Sequence, residues 1–526
     1  LMFAACGLLR RQWAEHEKLP FPLAQIPAEM LGGLEPVPGA GMGTGTGIGT
    51  GTDSFMRDPR AWAGMGLTFA LSCWNAMENV APGWPAFPLR NTEFGWTYLT
   101  DGWLRGLNPV WFVIYPSIIG LTYLVSAEIG FSLWFFYLVL KLAVLAALFN
   151  GLGAMHNDFM YSPVGWRGIF INQGTGALIA MVLAGLWLAR GHLKHSLRQA
   201  LGLEPGGGRD DDEVLSPRGL WLLLACCFAG SVAWLCWAGV ALGYAFLGVT
   251  IVLVLVTGVA RLVSEGGIFY TQVLTSPAEL SLLVAPPALM GQASLVPLSL
   301  WSRLTVFDYY RLSPMVTLMT TLQAGALAGV KKRSLAAGLL VAVLLAMLLG
   351  FFGFFDTLYH AEGGAGNAGW VLAAFPQGEF KELAARSASV HYYEEKSRAL
   401  ASQGRALPES ETPAVARRDR HAIGWLAFGM LVMFVFVALR TRVFWWPHPI
   451  GYVVWTGQRA IALMWFSFFL GWLIKACIVK FGGARVYLRW RRFFLGMVIG
   501  EALAALLWIA ICWARNIPGG YYMHFN

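Results

Sequence analysis

The stretch "AFLGVTIVLVLVTGVARLVSEGGIFYTQ", residues 245 to 272, decides the fold class. It opens on an uncharged apolar run of the length, about 17 to 25 residues with its flank, that crosses a hydrocarbon core as a helix. Arg261 then stands four residues before Glu265, and Gly266 and Gly267 follow. If the helix continues, Arg261 and Glu265 lie one turn apart on one face and can pair. The glycines permit backbone angles or close helix approach that a side chain forbids. Two readings follow: a capped helix end with a local ion pair, or a helix broken at a binding cavity. The apolar segment immediately downstream favours the second, because Pro277, Pro286, Pro287 and Pro297 prevent one straight helix there. Half-helices or a re-entrant hairpin are expected over 261 to 314, since irregular backbone at membrane depth survives only where protein buries it or water lines it.

Runs of the same kind recur along the chain. Of its 526 residues, 57% are hydrophobic and 13% charged, where a soluble chain has about 25% charged, so this is an integral membrane protein. A barrel would need short alternating strands, which the sequence lacks. Spans are expected at 61–80, 109–127, 129–150, 168–190, 219–238, 239–260, 315–330, 335–358, 421–439, 455–478 and 493–514. The fold class expected is therefore all-α, a polytopic transmembrane bundle of about 11 or more spans with broken or re-entrant helices. "LMFAACGLL" is too short to span before Arg10 and Arg11, so the chain is expected to begin inside a helix. In domain terms, 1–60 holds that incomplete span, an interfacial segment and the Gly-rich loop "GAGMGTGTGIGTGT" (39 to 52). Residues 61–358 form the main bundle, 359–420 a solvated polar excursion and 421–526 the C-terminal transmembrane helices.

The formal charge of +9 points to Lys and Arg in loops facing lipid headgroups, not to nucleic acid. The basic stretches "ARGHLKHSLR", "KKR" and "KFGGARVYLRWRR" all read as cytoplasmic. With three spans between the last two, either one span is re-entrant or "VFWWPHPIGYVVW" (443 to 455) adds a passage. The seven cysteines sit in or beside apolar runs and read as small buried hydrophobes. No metal site, cofactor or catalytic constellation is expected, and the chain is not read as an enzyme.

Ionisable groups inside spans are costly and mark pathways or buried pairs. Lys141, deep within "GFSLWFFYLVLKLAVLAALFNG", is the sharpest such candidate beside Arg261, Glu265, Gly266 and Gly267. Polar clusters at span boundaries add Asn75, Glu78, His156, Asp158, Asn172 and Gln173 as substrate or ion pathway candidates. Glu128, Glu279, Asp308, Lys475 and Glu501 are further charges in or beside apolar runs.

The segments "RRQWAEHEKLPFPLAQIPAEM", "RLVSEGGIFY", "FWWPHPIGYVV" and "WFSFFLGWLIKACIVKFGGARVYLRWRRFFLGMVIGE" resemble a bacterial family of uncharacterised multi-span membrane proteins, similar to the oligopeptide transporter superfamily. That resemblance implies helix hairpins and inverted repeats around a central pathway, and a secondary transporter of peptides, metal chelates or other small solutes in the bacterial cytoplasmic membrane. The alternative is a non-transporting scaffold subunit of a larger membrane assembly. Expected partners are the lipid bilayer, a small-molecule or peptide substrate, and a homo-oligomer or larger membrane complex.

Overall fold

A computed structural model describes residues 1–30, 55–81, 83–91, 94–100, 104, 107–108, 110–150, 166–204, 215–268, 275–305, 313–360, 375–405, 419–443, 445–455 and 458–515. In chain order the helices are α1 (Met2–Arg11), α2 (Pro22–Met30), α3 (Pro59–Ala76), α4 (Phe94–Tyr98), α5 (Pro116–Leu124), α6 (Ala127–Phe149), α7 (Trp166–Ala200), α8 (Pro217–Trp237), α9 (Leu242–Gly266), α10 (Pro277–Val284), α11 (Pro287–Met290), α12 (Gln292–Thr305), α13 (Pro314–Leu327), α14 (Lys332–His360), α15 (Phe375–Ala401), α16 (Arg420–Arg440), α17 (Pro449–Val454), α18 (Gln458–Cys477) and α19 (Gly483–Ala514). Strands β1 (Arg90–Asn91) and β2 (Phe112–Val113) pair antiparallel, a two-residue ladder and the only strands among the described residues. Proline opens α3, α5, α8, α10, α11, α13 and α17. At that position its missing N–H costs nothing and its fixed φ already suits a helix.

Among the described residues, seven runs are long and apolar enough to cross a membrane: Ala127–Ala146, Ile169–Ala200, Pro217–Trp237, Leu242–Gly266, Ser334–Phe355, Arg420–Arg440 and Ile461–Ala514. The last run turns back on itself. Ser467 of α18 accepts a hydrogen bond from the Tyr115 N–H at 2.9 Å, and Glu501 of α19 accepts one from the Ser117 N–H at 2.6 Å. Both helices therefore flank α5 at one place. A straight helix would carry residues so far apart in sequence about 50 Å from each other. The turn falls at Gly482 and Gly483, where Gly483 has φ +70°, a left-handed value that glycine takes without strain.

Two four-helix units face each other. The first is α3, α5, α6 and α7; the second is α16, α17, α18 and α19. Helices α6 and α18 meet through aromatic rings: Phe131 faces Trp472 at 5.5 Å, Trp134 faces Phe469 at 5.3 Å and Tyr137 stacks on Trp465 at 5.2 Å. As numbers rise on one helix they fall on the other, so the pair is antiparallel. The short helices are exchanged across this pair. The N-cap N–H of α5, Tyr115, bonds Ser467 on α18, and the N-cap N–H of α17, His448, bonds Ser132 on α6 at 2.5 Å. Ring and side-chain contacts repeat the pattern: Tyr123 of α5 stacks on Phe494 of α19 at 3.9 Å, while Trp455, just past α17, faces Phe170 of α7 at 5.8 Å.

The outer helices close the exchange through glycine. A Cβ at Gly500 of α19 would stand 2.2 Å from the Met65 carbonyl of α3, and one at Gly176 of α7 would stand 2.0 Å from the Leu426 carbonyl of α16. Gly429 of α16 lies as close to the Gln173 carbonyl, at 2.0 Å. Small residues let membrane helices approach backbone to backbone. These cap, ring and glycine contacts of the first unit on the second are each returned by the second on the first, and the central pair is antiparallel. This is an inverted repeat about an axis perpendicular to α6 and α18. The sequences echo it: "FSLWFFYLVLK" (131 to 141) and "FSFFLGWLIK" (466 to 475), "WRGIF" (166 to 170) and "WRRFF" (490 to 494), and "DPRA" (58 to 61) and "DRHA" (419 to 422). Asp58 and Asp419 are the N-caps of α3 and α16, each accepting a backbone N–H. The Gly176→Ala variant is expected to part α7 from α16 and to lower the thermal midpoint of the purified protein, at a cost of about 1–3 kcal/mol. An unchanged midpoint would mean that this helix pair does not hold the bundle.

Several expectations need correction. The span expected at 109–127 is the nine-residue α5, entered from strand β2 and buried along its whole length. At about 14 Å it is too short to cross. The span expected at 315–330 is the 14-residue α13. In the segment at 10–30, read from the sequence as interfacial, Trp13 and Phe21 are buried in the main core with α5, α6, α9, α13, α17 and α18. The broken region downstream of α9 folds as α10, α11 and α12. The polar excursion contains α15, whose Val390 is fully buried against Met290 and Leu295 of α11 and α12. All seven cysteines are free, but Cys226 and Cys477 are exposed on helix surfaces, not buried. The Gly-rich loop at 39–52 lies outside the described residues.

Candidate functional site

The reason two glycines follow Arg261 and Glu265 lies at the end of α9. Gly267 takes the left-handed conformation, φ +64°, and its N–H returns to the Val263 carbonyl at 2.9 Å. This is the glycine cap that ends many helices. A Cβ at Gly267 would stand 2.9 Å from both Pro22 and Val125, so chain crossing and backbone angle both demand glycine there. Gly266 is less constrained, its nearest neighbour to a Cβ being an Ile268 methyl at 3.1 Å.

The N-terminal segment wraps this helix end. Lys18 and Phe21 hold positive φ, 53° and 43°, conformations that non-glycine residues reach at a cost of order 1–3 kcal/mol. The bend brings the Phe21 N–H to the Ser264 carbonyl at 2.9 Å, satisfying one of the carbonyls a helix end leaves unpaired. It also brings Glu17 to Arg261. The Arg261 Nη2 donates to Glu17 Oε2 at 2.6 Å, and its Nε lies 3.6 Å from Glu265 Oε2. Trp13 offers its ring face to the same guanidinium at 5.8 Å. Arg261 Nη1 is buried without a hydrogen-bond partner and lies where a Cβ on Gly185 of α7 would come within 2.9 Å.

His448 completes the cluster from the second repeat unit, at the start of α17. Its Nε2 lies 3.2 Å from Glu265 Oε1, and its Nδ1 accepts the Ile450 N–H at 3.3 Å, capping α17. A ring nitrogen that accepts a backbone N–H carries no proton, so we assign the proton to Nε2, which donates to Glu265. The imidazole is then neutral. Two carboxyls face one guanidinium. A further proton has a place to go: onto Glu265, or onto Nδ1 at the expense of the α17 cap.

The other candidates are not brought here. Lys141 donates to the Leu107 carbonyl at 2.9 Å beside the Tyr137 ring. Asn75 pins the backbone of Phe87 with two hydrogen bonds, at 2.9 and 3.2 Å, and Glu78 is exposed. Gln173 accepts from the Tyr452 hydroxyl at 3.2 Å, tying α7 to α17, and Asn172 is buried beside it. His156, Asp158 and Asp308 lie outside the described residues. Glu279 closes a capping box with Ser276, and Glu128 pairs with Arg440 at 3.0 Å. Lys475 and Glu501 serve α5: Lys475 donates to the Val125 carbonyl at its C-terminal end and Glu501 accepts from Ser117 at its N-terminal end. Each charge has the sign that complements that end of the helix dipole. Near α2, burial holds the Glu29 carboxyl above the ordinary carboxylate range against the opposing pull of Arg491 and Arg492.

Glu17 and His448 are absent from the sequence-derived candidates. Both lie in segments that carry the family resemblance, "WAEHEK" and "WWPHP", and a histidine between two prolines in an aromatic run was the available signal.

Fold and cluster together define a multi-span helical integral membrane protein with an internal inverted repeat. Residues 1–523 match the family described as a family of unknown function (DUF6785), and the chain belongs to that family. No curated protein matches the chain.

Proposed function

We propose that this protein is a secondary transporter, similar to the oligopeptide transporter superfamily, that moves peptides, metal chelates or other small solutes across the bacterial cytoplasmic membrane. One observation carries the reading: an inverted repeat in which each unit inserts a short buried helix, α5 or α17, against the other unit's long helices. Inverted repeats with discontinuous helices at their interface are the architecture by which secondary transporters alternate access to a central site. The cluster of Glu17, Arg261, Glu265 and His448 sits at one such short helix and supplies a group that can gain or lose a proton as the repeat moves.

A second reading, a non-transporting subunit, is favoured by α14. Residues 340–355 of its apolar run are all exposed, as those of a helix awaiting a partner chain would be. Uptake by the purified protein in proteoliposomes, measured for a panel of peptides and metal chelates under imposed ion gradients, separates the two. Saturable accumulation is expected. Folded protein that accumulates no member of the panel and co-purifies with a stoichiometric partner would establish the second reading.

A further inference from the structure

Where α3 begins and α18 turns into α19, the arginines divide by direction. Two face inward and are neutralised: Arg491 pairs with Glu29 at 2.8 Å and Arg492 with Asp58 at 3.1 Å. The others face out. Arg57, Lys480, Arg485 and Arg489 are exposed, and among the described residues none of them meets a carboxylate. Arg60 ties the two elements together, donating from Nη1 to the Arg489 carbonyl at 3.2 Å. Arg485 and Arg489 stand one turn apart and so share one face of α19. The apolar parts of α18 and α19 lie on either side of this turn, which places the cations where hydrocarbon gives way to headgroups. Exposed aromatic rings mark the same level, Phe481 at 82% and Trp490 at 41% exposure, as interfacial anchors do.

We propose that this patch is a binding site for the headgroups of anionic phospholipids. Four outward cations that meet no carboxylate among the described residues call for an anion, and the aromatic residues beside them fit a ligand that continues into acyl chains. A soluble phosphate would satisfy the cations but leave the rings without a role. Each Lys or Arg near a membrane surface contributes about 1 kcal/mol to binding of anionic lipid.

The test is native mass spectrometry and thermal unfolding of the full chain in nanodiscs of phosphatidylcholine with or without phosphatidylglycerol. Wild type is expected to retain phosphatidylglycerol selectively and to unfold at a higher temperature in its presence. The double variant Arg485→Gln with Arg489→Gln is expected to bind it roughly 30-fold more weakly and to lose the thermal increment. Both side chains are exposed, so folding in phosphatidylcholine should be unchanged. A matched control, Arg190→Gln with Lys194→Gln, removes two charges from the basic C-terminal part of α7 and should keep the increment. The proposal is overturned if the α19 variant keeps it, if the control loses it equally, or if inorganic phosphate at equal ionic strength reproduces it.

Discussion

Arg261→Met is expected to destabilise the protein by about 3–5 kcal/mol, because it strands two carboxylates beside each other with no cation between them. Glu17 and Glu265 have side chains only 13% and 18% exposed, so water replaces little of what the guanidinium gives. The loss should appear as a lower thermal midpoint and a lower yield of monodisperse protein in detergent. Adding Glu17→Gln and Glu265→Gln to the same chain should recover most of it, since buried ion groups can often be replaced together at little cost. The two carboxyl substitutions made without the arginine change should destabilise, leaving Arg261 as the unpaired ion. An Arg261→Met protein as stable as wild type would show the cluster to be solvated, and the inference of a closed charge network would fail. Gly185→Ala offers an independent handle. It places a methyl against the Arg261 guanidinium while altering no charge.

How much of this could be read from the sequence differs element by element. The capped end of α9 follows from residues alone, because an i,i+4 ion pair and a glycine pair are local signals. The long spans follow from hydropathy, which sums over one helix and needs no partner. The short helices do not. Residues 109–127 are apolar throughout whether they cross as one helix or enter as strand β2 and stop after nine residues as α5, and only the neighbours decide. The pairing of Arg261 with Glu17 spans 244 positions, and no periodicity reports such a distance. The inverted repeat lies between these cases. The two "FS" runs with a lysine one helix length on, and the two "WR" starts, are visible once aligned. They are sparse because matched positions meet different neighbours: Lys475 bonds the end of α5, while Lys141 bonds Leu107. The exchange of short helices leaves a trace mainly at the two serines that receive their N-caps, Ser132 and Ser467.

His448→Asn is expected to remove the pH response of uptake between about pH 5 and 8, the range in which histidine ordinarily changes charge. The sign follows from the hydrogen bonds. Nε2 already donates to Glu265, so a proton added to the ring must go to Nδ1, where it opposes the Ile450 N–H that caps α17. As pH falls, protonation gains a charge partner in Glu265, with Glu17, Arg261 and the Glu128–Arg440 pair nearby, but uncaps the short helix. The proton and the position of α17 are thereby coupled. Asparagine keeps an oxygen that can cap a helix N-terminus and carries no titrating group, so the variant should fold, bury α17 and respond little to pH. Glu265→Gln should act differently: it removes the carboxylate that faces His448, changing the pH response of uptake while keeping folded yield near wild type. The measurement is initial uptake in proteoliposomes across that range, with each variant's thermal midpoint recorded beside it. If the His448→Asn profile overlays wild type, the imidazole does not link proton binding to α17. If Glu265→Gln loses yield in proportion to uptake, that carboxylate is a structural partner of Arg261 and has no part in transport.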